Sequence, residues 1–213
     1  MDSRAPFGVT SGLSRSRAAS GPYGRRVCRD VRNARDGREV HHTPFGPDGT
    51  ERPIHRPRDP EEPQEYDSGK QQCHTLKNLL VITATCHIGF LSHTCEGKAS
   101  DKSLAEEAGS ILPPGSCLDQ EKGFQGFFQT GITIFQPKNT PRGGELTPPE
   151  KARNHRISSI RIRIEHAIGG VKRYRMVKDK IRLLKDGIRD TLMETCCGLH
   201  NFRLQYRPWN YAD

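Results

Sequence analysis

Apolar runs in the first half of the chain predict strands. Residues 73–82 carry Leu76 and the continuous run 79–82, and residues 88–92 carry a second short run after a brief turn. Apolar runs of this length, bounded by polar turn residues, are typical of paired strands. The sequence therefore predicts a hairpin here, and it predicts a third strand at 131–135.

In the second half of the chain, apolar residues recur at helical spacing. Thr147 and Glu150 flank Pro148 as a capping box with proline at the first helical position, so a helix is predicted to begin there. One buried stripe is predicted, formed by Ile157, Ile160, Ile164, Ala167, Ile168, Val171 and Tyr174. Gly169 and Gly170 can bend or interrupt this helix.

A last helix is predicted over about residues 186–204. Its apolar positions predict a buried face made of Ile188, Leu192, Thr195, Cys196 and Leu199.

The rest of the chain is poor in apolar residues, and only 32% of the whole chain is hydrophobic. Residues 1–46 are rich in Gly, Ser and Arg without any strand or helix period, which predicts a disordered segment. Four prolines between residues 52 and 70 predict an extended loop. The expected organisation is a disordered segment 1–46, one domain 47–207 and a tail 208–213.

Positive charge is concentrated in one segment. Residues 151–190 hold 13 Lys and Arg against 4 Asp and Glu, an excess equal to the formal net charge of +9 of the whole chain. A basic segment on an otherwise neutral chain favours a polyanion partner, and a solvated helical face is the alternative. Without a long apolar run, nucleic acid is favoured over membrane.

The seven cysteines are scattered and odd in number, which favours reduced thiols over a disulfide framework. Cys196, Cys197 and His200 invite a zinc interpretation, but no second ligand pair stands at finger spacing. Buried thiols on a helix are the preferred interpretation.

Short phrases in a fixed order carry a family resemblance. They include Asp48-Gly-Thr-Glu-Arg-Pro, Gly97-Lys-Ala-Ser-Asp101, Gly123-Phe-Gln-Gly126, the phrase around Glu165 and Gly198-Leu-His-Asn-Phe. From about residue 48 to 207, the chain resembles the DDE-superfamily endonuclease domain of insertion-sequence and Harbinger-like transposases. Each phrase alone is a weak signal, and their shared order makes the resemblance specific.

The resemblance implies an α/β fold, an RNase H-like core with a mixed β-sheet flanked by helices. It also implies carboxylates that bind two divalent ions, Mg²⁺ or Mn²⁺, which prefer oxygen ligands. By motif, the first Asp of the family falls on Asp48, a metal-associated Asp on Asp101 and the final Glu on Glu165. The ions would activate water or a 3′-hydroxyl at a DNA phosphate.

The family's second catalytic aspartate falls on Glu121, which keeps the charge but adds a methylene. The predicted catalytic residues are therefore Asp48, Glu121 and Glu165, and the same three with Asp101 are the predicted metal ligands. Asp119 alternates to the same strand face as Glu121 and stays as an alternative for the second carboxylate.

Basic residues near the final acid are predicted to contact DNA. Lys172, Arg173 and Arg175 follow Glu165 and resemble the family's basic helix, and Arg161 precedes Glu165 by one helical turn. A solvated helix end is the alternative for the first three, and an ordinary surface pair with Glu165 is the alternative for Arg161.

The sequence before Asp48 departs from the family. Pro44 and Pro47 stand there with few large apolar residues, which predicts that the sheet lacks its first, central strand. On this basis the chain is hypothesised to be a truncated or frameshifted transposase copy.

The expected function is that of a DDE-type transposase or endonuclease, with divalent-metal-dependent DNA cleavage and transfer and impaired activity. An inactive remnant that binds nucleic acid non-specifically is the alternative, and a zinc–thiol module is a distant third. The expected partner is DNA, both the transposon ends and the target, and no membrane partner is expected. A homo-oligomer is compatible with this function. Without a secretion signal, an intracellular location is expected, in the cytoplasm or nucleoid of a bacterium or the nucleus of a eukaryote.

Overall fold

A computed structural model describes residues 24–26, 44–56, 67–69, 71–109, 112–182 and 185–211. Most of the predicted disordered segment 1–46 and most of the predicted loop 52–70 lie outside these residues. The described elements are, in chain order, β1 (Gly24–Arg26), β2 (Pro44–Pro53), β3 (Asp67–Ser68), β4 (Cys73–Thr83), β5 (Ile88–Ser92), β6 (Cys95–Glu96), α1 (Asp101–Ala108), β7 (Cys117–Asp119), β8 (Thr133–Phe135), α2 (Pro148–Val171), α3 (Arg175–Lys178) and α4 (Asp186–Tyr206).

The strands form one mixed sheet in the order β1-β5-β4-β2-β7-β8, with β3 and β6 also paired to β4. The pairs β1–β5, β4–β5 and β2–β4 are antiparallel, whereas β2–β7 and β7–β8 are parallel. Helices cover both faces of this sheet. The predicted α/β class, with a mixed sheet flanked by helices, is confirmed.

The prediction that the central strand is missing was wrong. β2 lies at the centre of the sheet, antiparallel to β4 over nine residue pairs and parallel to β7 at Pro44 and Phe45. A missing central strand therefore no longer supports the hypothesis of a truncated or frameshifted copy.

The prolines are tolerated because of where their nitrogens point. The Ile54 N–H donates to the His74 carbonyl on β4 at 2.9 Å. Donor direction alternates along an antiparallel ladder, so the nitrogens of Pro47 and Pro53, an odd number of residues away, point away from β4. Neither proline removes a hydrogen bond from the β2–β4 ladder, and Pro44 lies just outside it.

β2 needs few apolar residues because β4 carries the buried surface. Leu80 and Ile82 of β4 pack on α2 and α4, and Leu79 and Val81 pack on α1 on the other side of the sheet. We name these two sides the α2 face and the α1 face.

Glycines let both helical layers approach β2 closely. A Cβ built on Gly46 would lie 1.8 Å from Ile164 Cδ1 of α2, and one built on Gly49 would lie 2.0 Å from Asp101 Oδ1 at the start of α1. Both distances are far shorter than real atomic contacts. Glycine is therefore required in β2 wherever a helix lies directly over the strand.

A buried arginine joins β2 to its neighbours. Arg52 is fully buried, and its guanidinium donates to Asn78 Oδ1 at 2.5 Å and to Thr94 Oγ1 at 2.9 Å. Burial lowers the pKa of Arg52 to about 10, and the nearby Asp190 opposes that shift. Asp190 of α4 in turn accepts from the Thr94 N–H, so this network links the sheet to α4.

Helix α2 begins and packs as predicted. The capping box at Thr147 and Glu150 is formed, and Ile157, Ile160 and Ile164 face the core. The glycine pair does not interrupt the helix, which runs through Gly169 and Gly170 to Val171.

Helix α4 forms where predicted, but the predicted buried face was partly wrong. Ile188 and Leu199 are exposed, whereas Met193 and His200 are buried. The reason is hydrogen bonding: Asn201 bonds to both the N–H and the carbonyl of Ile88 on β5, and His200 Nε2 lies 3.0 Å from the Cys86 carbonyl. These polar side chains face inward because they hydrogen-bond to the backbone at the turn between β4 and β5. The buried side of α4 therefore includes His200 and Asn201, and Ile188 and Leu199 point to solvent.

None of the helices in the described ranges is both long and apolar enough to cross a membrane.

The two adjacent glycines of α2 should respond oppositely to alanine. A Cβ on Gly169 meets nothing within 4 Å, whereas one on Gly170 would lie 2.5 Å from the His200 ring. We expect Gly169→Ala to raise the free energy of unfolding by about 1 kcal/mol, since alanine is the better helix former. We expect Gly170→Ala to lower it by about 1–3 kcal/mol, because the buried imidazole must move. Urea denaturation of both variants measures this, and changes of the same sign would contradict the described packing.

Candidate active site

Asp48 lies on the α2 face of the central strand. It pairs directly with Leu80 of β4, and residues opposite each other on antiparallel strands point to the same side of a sheet. Leu80 packs in the core against α2, so the half-buried Asp48 carboxylate belongs to that side. Gly46, two residues earlier on the same face, lies beneath Ile164.

The strand β7 brings two further acids to this face. Phe45 pairs with Leu118, and the next residue of β7, Asp119, lies beside Gly46, with its carbonyl oxygen 3.9 Å from a Cβ built on that glycine. Glu121 follows two residues after the end of the strand. Asp119 is 6% exposed, and its Oδ2 has no hydrogen-bond partner in the described part of the chain. Burial raises the pKa of Asp119 to about 6, against the opposing effect of Arg156 and Arg153.

Glu165 of α2 meets Glu121 through one arginine. The Arg161 Nε lies 2.9 Å from Glu121 Oε1 and 3.2 Å from Glu165 Oε1. The contact between Arg161 and Glu165 is the surface ion pair, one helical turn apart, that the sequence offered as the alternative to DNA contact. The Glu121 contact spans 40 residues of sequence, and no local pattern indicated it.

Asp101 lies on the opposite side of the sheet from these acids. It is the first residue of α1, next to the N-cap Ser100, and its Oδ1 lies 3.4 Å from the Lys77 ammonium. The same ammonium lies 3.4 Å from Glu51 Oε1. Because Gly49 faces α1, the structure groups Asp101 with Lys77 and Glu51 and separates it from Asp48.

The oxygen donors on the α2 face suit a hard divalent cation. The Arg161 nitrogen already stands within 3.2 Å of both glutamates, as a cation shared by Glu121 and Glu165. No group of three or more His, Cys, Asp or Glu side chains within the described ranges is ready to enclose an ion. Glu121 and Glu165 therefore share one cationic group as a pair.

The cysteines form no site in the described ranges. Cys196 and Cys197 are buried in the core, and burial raises the pKa of Cys197 to about 12. The interpretation as buried thiols agrees with this packing.

Three of the four predicted DNA-contacting residues lie at or just after the end of α2, and Arg161 lies in the middle of that helix. Lys172 is the C-cap of that helix, and Arg173 is exposed. The exposed Arg175 pairs with Asp179 at 2.9 Å. Arg161 is engaged by its two glutamates.

A groove of about 520 Å³ lies between α2 and the C-terminal tail. Glu165 and Arg173 line it on the α2 side, and Trp209 and Tyr211 line it on the tail side. The prediction of a plain tail at 208–213 did not include this groove. The only available signal was the presence of two aromatic residues in a polar segment.

Contacts with α2 hold this tail in place. The Tyr211 hydroxyl lies 2.8 Å from His166 Nδ1, and the two rings stack with centroids 5.8 Å apart. The guanidinium of Arg163 lies 4.9 Å from the centre of the Tyr211 ring. Residues on both sides of Glu165 in α2 thus contact the tail.

Comparison with known proteins agrees with the order of motifs. The family model described as DDE superfamily endonuclease matches residues 47–201. A protein from Microchaete diplosiphon, described as a probable transposase for insertion sequence element IS702, is 29% identical over 160 residues. That alignment covers 74% of this chain and 56% of the relative, so the chain spans little more than half of the relative's length. No solved structure matches the chain.

The family match covers well over half of the chain, including Asp48, Asp101, Glu121 and Glu165, and it confirms the resemblance drawn from the sequence. The chain belongs to the DDE superfamily of transposase endonucleases.

Proposed function

We propose that this chain catalyses divalent-metal-dependent DNA strand cleavage and transfer as the catalytic part of a transposase. The observation that carries the proposal is the pairing of Glu121 with Glu165 around one cationic nitrogen, on the sheet face to which Asp48 also belongs. Family membership makes DNA the expected substrate.

The residues that would hold the ion are Asp48, Glu121 and Glu165. Bound Mg²⁺ or Mn²⁺ would polarise the scissile phosphate and make a nucleophile of water or a 3′-hydroxyl. The protein supplies carboxylates from a strand, a strand end and a helix that are fixed by the core beneath them. Asp101 was predicted as a fourth ligand, and its pairing with Lys77 favours a role in anchoring α1 to the sheet.

The basic end of α2 would position the DNA. Lys172, Arg173 and Arg175 follow Glu165 within ten residues, so phosphates bound there would lie close to the proposed ion. Contacts of this kind give affinity without sequence choice and weaken with salt.

Asp119 is the second candidate for the middle carboxylate. It is a buried acid with an unpartnered oxygen, on the same face as Asp48, and such costly groups are often kept for function. Glu121 is preferred because it already contacts Arg161, which also pairs with Glu165.

An inactive remnant that binds nucleic acid non-specifically is the competing function. It is supported by the glutamate at position 121, where the family pattern has aspartate, and by the lack of a ready three-ligand cluster in the described ranges. A DNA-cleavage assay distinguishes the active nuclease from the inactive remnant.

We expect the purified chain to nick supercoiled plasmid in the presence of Mn²⁺ and to stop when the ion is chelated. Asp48→Asn and Glu165→Gln should each reduce the rate about a hundredfold or more, since even groups behind metal ligands are worth about 10- to 100-fold. Gel electrophoresis of the nicked product measures the rate.

Glu145→Gln is the matched control, because Glu145 is an exposed acid that pairs with Lys151 away from the proposed ion. Its rate should equal that of the unaltered protein. Nicking that resists chelation, or that survives Glu165→Gln, would contradict the proposed function. If neither the unaltered protein nor any variant nicks DNA with Mn²⁺, the result would favour the inactive remnant.

Asp119 makes stability depend on pH. The folded pKa of about 6 lies above the ordinary 3.8, so the folded state holds this proton more tightly than the unfolded state. The resulting stabilisation is complete below about pH 4 and is lost as pH rises through 6. We therefore expect Asp119→Asn to become more stable relative to the unaltered protein as pH increases.

The expected gain is about 2 kcal/mol between pH 4.5 and 7.5, because one unit of pKa corresponds to about 1.4 kcal/mol. Urea denaturation of both proteins in metal-free buffer measures the difference in unfolding free energy at each pH. A difference that is independent of pH would show that the Asp119 carboxyl is not held in the described buried position.

A further inference from the structure

Arg161 is placed unusually for a surface arginine. Its Nε contacts Glu121 at 2.9 Å and Glu165 at 3.2 Å, and these acids come from two separate elements. We name Glu121 and Glu165 the acid pair. The Arg161 side chain is 51% exposed, Glu165 is 58% exposed and Glu121 is 26% exposed, so all three can be reached from solvent.

Helix stability does not explain this arrangement. An arginine four residues before a glutamate is the less favourable order for a helical ion pair. Arg175 and Asp179 form a pair of the same spacing and order, with 2.9 Å between Nε and Oδ2. What distinguishes Arg161 is its long-range contact to Glu121, at the end of β7.

Two carboxylates brought together repel each other unless a cation lies between them. In the absence of a divalent ion, Arg161 supplies that cation. An incoming ion needs carboxylate oxygens that Arg161 now holds, and two cations cannot occupy one position between the same acids. Arg161 and the ion therefore compete.

We propose that Arg161 is a built-in counter-cation that keeps the acid pair assembled before metal binding and that the divalent ion has to displace. This proposal rests on the proposed function, because it takes the acid pair as part of the metal site. Arg161 is then a positioning residue whose removal weakens the metal-free site and strengthens metal binding. A residue that merely supported the fold would not have this second effect.

The test is Mn²⁺ binding to the full chain, measured by isothermal titration calorimetry. Arg161→Gln should bind Mn²⁺ roughly three- to tenfold more tightly, since the ion no longer breaks two partly exposed ion pairs. Arg161→Lys keeps the positive charge but not the planar guanidinium, so its Mn²⁺ affinity should lie between those of the unaltered protein and Arg161→Gln. Lys151→Gln removes an exposed ion pair with Glu145 near the start of α2, away from the acid pair, and should leave Mn²⁺ affinity unchanged.

Thermal unfolding gives a second readout. With all metal chelated, Arg161→Gln should melt about 1–4 °C lower than the unaltered protein, because the acid pair is left without its cation. At saturating Mn²⁺ that deficit should disappear.

Equal or weaker Mn²⁺ affinity in Arg161→Gln would overturn the proposal, since Arg161 would then assist the ion or ignore it. If the unaltered protein binds Mn²⁺ and nicks DNA while Arg161→Gln binds no more tightly, only the role of Arg161 fails. If no protein in the set binds Mn²⁺, the role of Arg161 and the metal dependence of the proposed function fail together.

Discussion

The close passage of helix α2 over the central strand is the constraint on which the rest of the site depends. Ile164 lies directly over Gly46, at a distance that leaves no room for a side chain on the strand. This contact fixes both the height and the register of α2 above the sheet. Arg161 and Glu165, on either side of Ile164 in sequence, are thereby held over the strand that carries Asp48, and Arg161 reaches Glu121 just after the end of β7. Loss of the close approach would separate the acids even if every one of them were retained.

The strands differ in how many apolar residues they carry. This difference explains which elements could be predicted from the sequence and which could not. β4, β5, α2 and α4 could be predicted because each carries enough apolar residues to reveal its period. β2 could not, because its burial comes from β4 and from helices that approach its glycines. Its prolines, read alone, argue against a strand, and only the direction of their nitrogens in the ladder makes them acceptable. The short helix α1 was missed because eight residues carry too little pattern, whereas the strand before Glu121 was expected from the family resemblance alone.

The candidate site was predictable residue by residue but not in its arrangement. Motif order located Asp48, Asp101, Glu121 and Glu165, because functional residues are recognisable by their sequence neighbours. The side of the sheet to which each acid belongs depends on strand register, which is a long-range property. That register places Asp48 on the α2 face and Gly49, which lies beneath Asp101, on the α1 face. The double contact of Arg161 likewise depends on packing between α2 and the end of β7.

The central claim is that Asp48, Glu121 and Glu165 share one divalent cation, and the most direct measurement is the position of that cation. Anomalous diffraction from crystals grown with Mn²⁺ locates the ion independently of the protein atoms. The account predicts an anomalous peak about 2.0–2.6 Å from carboxylate oxygens of these three residues, with the Arg161 guanidinium moved away. A Mn²⁺ peak bound only by other residues, or crystals soaked in Mn²⁺ with no peak on the α2 face, would contradict it.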